Sequence, residues 1–545
     1  MPRPRAAARN GRLNCLLLAT SVLLFAGCGG SDDPPPVTLS AGVGCSLTYT
    51  LTDSPILTGV DPLLREQWHL QNLGQNGGLA GEDLRVLPAW RITRGAGVRV
   101  AVIDDAVELV HPDLYPNMVP GGSYSYRSGN RGSVWPLPCS AAVDDHGTAV
   151  AGIVLARDDN AIGGAGVAPR ASLVAYDALA SSLDVDIADA LGRDAQLNAI
   201  YQNSWGSPDN GRLQRAEPSF AATIERGIAF GRDGLGSVYV FPAGNGGCYA
   251  ADDAGNCQVD NANFDGYVNG RGVITVCAVD DTGLSPWYAE PGANVLVCAP
   301  SSGDAPVGIT TTALRGAYRN DFSGTSASTP MVSGVVALML AANPKLTWRD
   351  VRLILAETAR KNDPTDPDWR DGPGGLHVHP RYGYGVADAQ AAVERARRWL
   401  SVGGSGALRT CTIPERVPEL ALPDRPAFGE PIEVSDTVRV ANCGITQIEF
   451  VELTATIAHA YSGDLRIRLR SPAGHVSELA NERICTQGSG PQAVASPCGD
   501  YDGWTFGSVR HIGEAADGDW TLAIADMLPA DTGRLQRWSL RIHGR

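Results

Sequence analysis

The stretch Val98-Arg99-Val100-Ala101-Val102-Ile103-Asp104-Asp105 decides the reading of this chain: a short apolar run, rich in β-branched residues, that ends in two carboxylates. Runs of this kind read as strands. Between about Asp61 and Leu400 others follow, Val238 to Phe241 among them, and they alternate with helical stretches. That alternation favours a parallel sheet covered on both faces, in which functional groups collect at the carboxyl ends of the strands, where Asp104 stands. The apolar stretch from Pro330 to Ala342 is too long for a typical strand and reads as a buried helix.

Beyond Leu400 the composition changes. Ser401-Val402-Gly403-Gly404-Ser405-Gly406 reads as a flexible linker, and the remainder carries short alternating runs such as Leu465 to Leu469 and Trp520 to Ile524. This is the pattern of a β-sandwich. Two folded units agree with a length of 545 residues, too many for one core. A net charge of −15 argues against a nucleic-acid partner, which would demand clustered Lys and Arg.

The N-terminus reads as an export signal. Arg3, Arg5, Arg9 and Arg12 precede an apolar run from Leu16 to Phe25 that is too short to span a bilayer. The run closes on Phe25-Ala26-Gly27-Cys28, which resembles a bacterial lipobox, followed by a polar tether from Gly29. The expectation is a signal peptide over 1–27, and a lipid-bearing Cys28 with a tether over 28–57. The protein would then be exported and membrane-anchored, or secreted if Cys28 is not used. With Cys15 and Cys28 set aside, ten cysteines remain, an even number suited to bridges in an oxidising compartment. Connectivity stays open on sequence alone. Short spacings suggest Cys248 with Cys257, Cys277 with Cys298, Cys411 with Cys443 and Cys485 with Cys498, leaving Cys45 to reach Cys139.

Three strings carry candidate chemistry. The first ends in Asp104; the second, Asp145-His146-Gly147-Thr148-Ala149-Val150-Ala151-Gly152, puts an imidazole at the start of a small-residue helix. The third, Ser323-Gly324-Thr325-Ser326-Ala327-Ser328-Thr329-Pro330, puts Ser326 at the opening of the buried helix. Each is commonplace alone, but together they supply a nucleophilic hydrolase. Ser326 is a weak nucleophile until His146 takes its proton, and Asp104 would fix the imidazole tautomer and stabilise the imidazolium.

These strings resemble the subtilisin-like serine peptidases, and the Asp104-Asp105 pair resembles the kexin and furin branch. The likeness extends through Asp61-Pro62, Gln67-Trp68-His69-Leu70-Gln71-Asn72, Ser204-Trp205-Gly206, Gly244-Asn245-Gly246-Gly247 and Tyr382-Gly383-Tyr384-Gly385. Tyr461-Ser462-Gly463-Asp464-Leu465 and Gly518-Asp519-Trp520-Thr521-Leu522 resemble the P domain of that branch. The resemblance implies an α/β, subtilisin-like three-layer domain with a mostly parallel sheet over 58–400 and a linker over 401–410. An all-β jelly-roll-like sandwich, the P domain, would occupy 411–545. It also implies a monomeric, calcium-dependent serine endopeptidase acting on polypeptides, with Arg or Lys before the scissile bond. A broad-specificity secreted protease and a catalytically inactive surface binding protein are the alternatives.

By the same resemblance, Asn245 would donate to the oxyanion beside the Ser326 N–H. Asp209 and Asp265 would pair with the basic side chain of the substrate, Ser204, Trp205 and Gly206 would line its path, and Asp105, with Asp145, would add acidity for the preceding residue. One calcium would take the side chains of Asp61, Asp113 and Asn160 with the carbonyls of Arg157, Ile162 and Gly164; a second would take Asp209, Asp260 and Glu290. Three features depart from the branch: Ala106 replaces a Gly, Arg215 stands where an acid is usual, and the interval from Cys28 to Asp61 is too short for the usual propeptide. The pair His377 and His379 lies in a Gly/Pro-rich stretch and reads as a surface loop rather than a metal site.

Overall fold

The computed structural model describes residues 37–51, 58–181, 183–251, 255, 257–303, 307–488 and 493–545. The expected signal peptide and Cys28 lie outside them. Six strands form the central sheet: β1 (Arg99–Ile103), β2 (Ser172–Tyr176), β3 (Ile200–Asn203), β4 (Val238–Pro242), β5 (Val273–Val279) and β6 (Val295–Pro300). Their order is β6-β5-β4-β3-β1-β2, and every neighbouring pair is parallel. The chain leaves β1 toward β2 and returns to β3 on its other side, so the strand order reverses at β1. Asp104 thus stands at the point where such sheets open a crevice.

Alternation along the strands selects the helix layers. Tyr201 and Tyr239 stack at 4.9 Å on one face, their hydroxyls donating to the carbonyls of Arg193 and Leu191. The helices Asp184–Gly192 and Pro218–Phe230 cover that face. On the other face Gln202 accepts from Ser333. Here lie α1 (His146–Leu155) and α2 (Thr325–Ala342). By length and composition α2 could cross a membrane, yet 83% of it is buried within the protein, so it is a core helix.

Helix α2 starts five residues before the apolar run that marks it in sequence, and Pro330 lies inside it. A proline has no N–H for the carbonyl four residues back. That carbonyl belongs to Ser326, and it accepts from the Ser204 hydroxyl at 3.0 Å instead.

Two expectations need correction. Residues 37–51, expected to be part of a tether, form a hairpin of Val37–Ser40 and Thr48–Leu51, with Ala41, Leu47 and Tyr49 buried. The Cys45–Cys139 bridge and the Tyr49 hydroxyl, 2.9 Å from the Pro138 carbonyl, clamp it to the segment before His146. The linker, read as flexible from its Gly and Ser, is pinned. Asp350 accepts from Ser401 Oγ at 2.6 Å and Val402 N at 2.8 Å, and Arg349 donates to the carbonyls of Val402, Gly403 and Gly404. Composition reports what a backbone can do in isolation, not which neighbours satisfy it.

The C-terminal unit packs two antiparallel sheets face to face. In Leu465–Arg470 the leucines and Ile467 point inward and the arginines outward. Trp504, Trp520 and Trp538 fill the core between the sheets. The two units meet through a buried, bidentate pair: Arg349 Nε and Nη2 donate to Glu449 at 2.8 and 2.6 Å. Four disulfides follow the pairing that short spacing suggests, and the fifth joins the remaining Cys45 and Cys139.

Candidate active site

Asp104 follows β1 directly and is 1% exposed. Its Oδ1 accepts from His146 Nδ1 at 2.8 Å and from the Asp105 N–H at 2.9 Å. Nδ1 is therefore the protonated nitrogen of the neutral ring, and Nε2 is left as the base. Burial disfavours the imidazolium, but the Asp104 charge and hydrogen bond outweigh it and hold His146 above its ordinary value. Phe322 packs against the imidazole at 5.4 Å and leads directly into α2, which carries Ser326 as its second residue. The Ser326 hydroxyl donates to the Ser204 carbonyl at 3.3 Å, not to His146. Such catalytic bonds often tighten only when substrate arrives.

Asn245 faces the same helix start. Its Oδ1 accepts from the Thr325 N–H at 2.8 Å and the Thr325 hydroxyl at 3.0 Å. A backbone N–H can only donate, so the amide orientation is fixed and Nδ2 is the free donor. Thr325, which sequence reasoning passed over, therefore aims Asn245. Trp205 Nε1 donates to the Ile103 carbonyl at 3.0 Å, tying the Ser204-Trp205-Gly206 segment to β1.

A cleft of about 240 Å³ opens beside Ser326, lined by Ser204 to Asp209, Pro242 to Asn245 and the acids Asp260, Asp265 and Glu290, with Arg212 as its one cation among the described residues. Asp265 Oδ1 and Oδ2 accept from the hydroxyl and N–H of Ser207, both at 2.9 Å, and burial pushes its carboxyl up. Asp105 is not brought to this cleft. Its oxygens accept from the N–H groups of His146 at 3.1 Å and Gly147 at 2.8 Å, so it caps α1, as an acid at a helix N-terminus does. Asp145 is paired with Arg319 at 3.2 Å, and Arg215 reaches the Asp502 carbonyl at 2.5 Å.

The subtilase family profile matches residues 95–385. The chain belongs to the subtilase family. The proprotein convertase P-domain profile matches residues 448–542 of this subtilase. Mouse proprotein convertase subtilisin/kexin type 7 is 33% identical over 494 residues, covering 89% of this chain and 61% of the relative. Kexin of Saccharomyces cerevisiae is 33% identical, with 89% and 56% covered. The chain thus spans under two thirds of either relative. The crystal structure of a serine protease of Aeromonas sobria superposes with a TM-score of 0.76 at 26% identity, over 91% of this chain and 97% of that one.

Of two acidic clusters in the subtilase, the first fits a hard cation. In the first, both oxygens of Asp61 accept from N–H groups, of Asp159 and Asn160, and Asn160 Nδ2 donates to Asp113 Oδ1 at 2.6 Å. Asp113 Oδ2 is buried without a partner, and burial, with Asp61 nearby, raises that carboxyl to about 7. The carbonyls of Arg157, Ile162 and Gly164 accept no hydrogen bond among the described residues. Unclaimed oxygens around a costly buried carboxylate are the donor set of calcium.

In the second cluster Asp209, Asp260 and Glu290 crowd Gly246. A Cβ there would lie 2.7 Å from Asp260 Cβ, 2.8 Å from Glu290 Oε1 and 3.0 Å from Asp209 Cβ. Burial and the neighbouring acids push Glu290 well up, and burial raises Asp209.

A third group, Asp366, Asp368 and His379, has ligand atoms within 4.8 Å of one another. His379 Nδ1 accepts from the Arg381 N–H at 3.1 Å, which puts the ring proton on Nε2, 3.3 Å from Asp366. A metal-bound imidazole donates through its second nitrogen, the opposite arrangement, and His379 is buried rather than on the surface.

Proposed function

We propose that this subtilase is a calcium-dependent serine endopeptidase with Asp104, His146 and Ser326 as its triad and Asn245 in its oxyanion hole. The observation that carries the reading is the Asp104–His146 hydrogen bond, set beside a helix-start serine and an asparagine amide whose free donor is fixed by Thr325. His146 Nε2 takes the Ser326 proton as Oγ attacks the peptide carbonyl. The Asn245 Nδ2 and Ser326 N–H groups meet the oxyanion at the N-terminus of α2, where the dipole also favours negative charge. His146 then returns the proton to the leaving amine, and water repeats the sequence on the acyl-enzyme.

The four acids around the cleft support a basic residue before the scissile bond. Asp265 and Asp209 would pair with it, and an apolar side chain would leave both desolvated and unpaired. Asp61, Asp113 and Asn160 would hold one calcium and Asp209, Asp260 and Glu290 another; bound calcium supplies the countercharge these buried acids lack. Five disulfides support an exported protein, and lipid attachment at Cys28 is proposed with it.

The test is hydrolysis of peptides with Arg, Lys, Phe or Leu before the cleavage point by the full chain and by Ser326→Ala, with and without a chelator. Wild type should cleave after Arg and Lys and lose activity to the chelator, and S326A should be inert. Activity persisting in S326A would remove the triad. Equal cleavage after Phe and Arg would remove the basic preference.

A further inference from the structure

The loops that form the acidic wall of the cleft are backed by the P domain. Residues Asn481 to Thr486 run along the loops that carry Asp209, Asp260 and Asp265. The Thr486 N–H donates to the Asn210 carbonyl at 2.9 Å and the Ile484 N–H to Gln258 Oε1 at 2.9 Å. The Asn481 amide bridges the Val259 carbonyl and the Asn261 amide, each at 2.9 Å. Leu213 N–H donates to the Cys498 carbonyl at 3.2 Å, so the Cys485–Cys498 bridge clasps the segment around Gly211 from both ends.

Arg483 sits at the centre of this contact and is 3% exposed. Its Nε donates to the Gly211 carbonyl, its Nη1 to the Tyr501 hydroxyl at 3.2 Å, and its guanidinium carbon lies 3.6 Å from the Phe264 ring centroid. The N–H groups of Gly211 and Asn210 donate in turn to Asp260 at 2.7 and 2.8 Å, and Asp265 follows Phe264 directly. One guanidinium therefore touches both loops that present acids to the cleft. Among the described residues it forms no ion pair with a carboxylate. A planar fork bound to a carbonyl, a hydroxyl and a ring face sets a distance, and a lysine cannot reproduce it.

We propose that Arg483 of the P domain is a positioning residue for substrate selection. It fixes the spacing between the loop that carries Asp209 and the segment that carries both Asp260 and Asp265, and with it which side chain the cleft accepts before the scissile bond. The inference rests on the reading of this cleft given under Proposed function.

The experiment measures kcat and KM at saturating calcium for four peptides with Arg, Lys, Phe or Leu before the cleavage point. The enzymes are wild type, Arg483→Met, Arg483→Lys and Tyr249→Phe, the last removing a hydroxyl that donates to the Ile484 carbonyl. R483M should raise KM for the preferred peptide about tenfold and flatten the profile, while kcat stays within about threefold. R483K should recover less than half of the loss, and Y249F should shift the profile the same way by about two- to threefold. A uniform fall in kcat for all four peptides, or an unchanged profile in R483M, overturns the proposal. Should R483M fail to fold, the Y249F profile decides: shifted supports it, unchanged overturns it. A wild type without preference for Arg or Lys sinks the basic-specificity reading alone, because the shift is measured against whatever residue wild type prefers.

Discussion

The two sides of the cleft are built differently. On the reacting side Asp104, His146, Asn245 and Ser326 come from strand ends and helix starts of one sheet domain, and the hydrogen bonds that orient them stay within it. On the acidic side the loops of Asp209, Asp260 and Asp265 are held by P-domain residues, among them Asn481, Thr486 and Asn263's partner Gly507. The contrast is one of support: the hydrogen bonds around the candidate reacting groups stay within the parallel-sheet domain, whereas the acidic loops are held by a second unit as well.

The largest expected effect probes the reacting side. Asn245→Ala removes one oxyanion donor and should lower kcat by about 100- to 1,000-fold, with the ranking of peptides by their residue before the bond unchanged. A changed ranking would mean that the two sides are not separable. Next comes the acidic side: Glu290→Gln should raise KM for the preferred peptide by about tenfold and weaken protection by calcium, with a smaller effect on kcat. Its counterpart in the first cluster, Asp113→Asn, should leave KM alone. It should cost roughly 1–3 kcal/mol, read as a calcium-dependent fall in Tm of a few degrees. Equal KM effects from the two variants would break the contrast between a cation site under the cleft and one remote from it.

The smallest displacement to be read is the position of the acid limb in the pH profile, whatever happens to its height. His146 must be neutral to accept the Ser326 proton, and Asp104 holds its value above the ordinary 6.5. The acid limb of kcat/KM should therefore lie above pH 6.5, falling about tenfold per pH unit below it. Asp104→Asn removes the charge that stabilises the imidazolium, so the limb should move to lower pH while the plateau drops. A wild-type limb at or below pH 6.5, unmoved by D104N, would show that Asp104 does not tune the imidazole.

Much of the reacting side was legible in the chain itself. The strand before Asp104, the helix start at His146 and the serine ahead of an apolar helix are local patterns, set by side-chain period and capping chemistry. Asp105 shows the limit of such reading. The resemblance implied acidity there for the substrate residue before the basic one, and the structure adds that Asp105 caps α1, a partner 41 residues away that no local pattern names.

What the sequence determined, then, is the order of elements, the buried character of α2, the candidates for the reacting groups and a suggested set of disulfide pairs. Only the tertiary structure decided that the Gly-rich segment after Leu400 is pinned by Arg349 and Asp350, and that residues 37–51 fold onto the catalytic unit. It alone brought Arg483 across 272 residues of chain to Gly211 beneath the cleft. The physical reason is that strand and helix patterns are encoded within a few residues. A polar group's partner, by contrast, depends on which distant carbonyls and amides remain unsatisfied once the sheet, its helices and the P domain have packed.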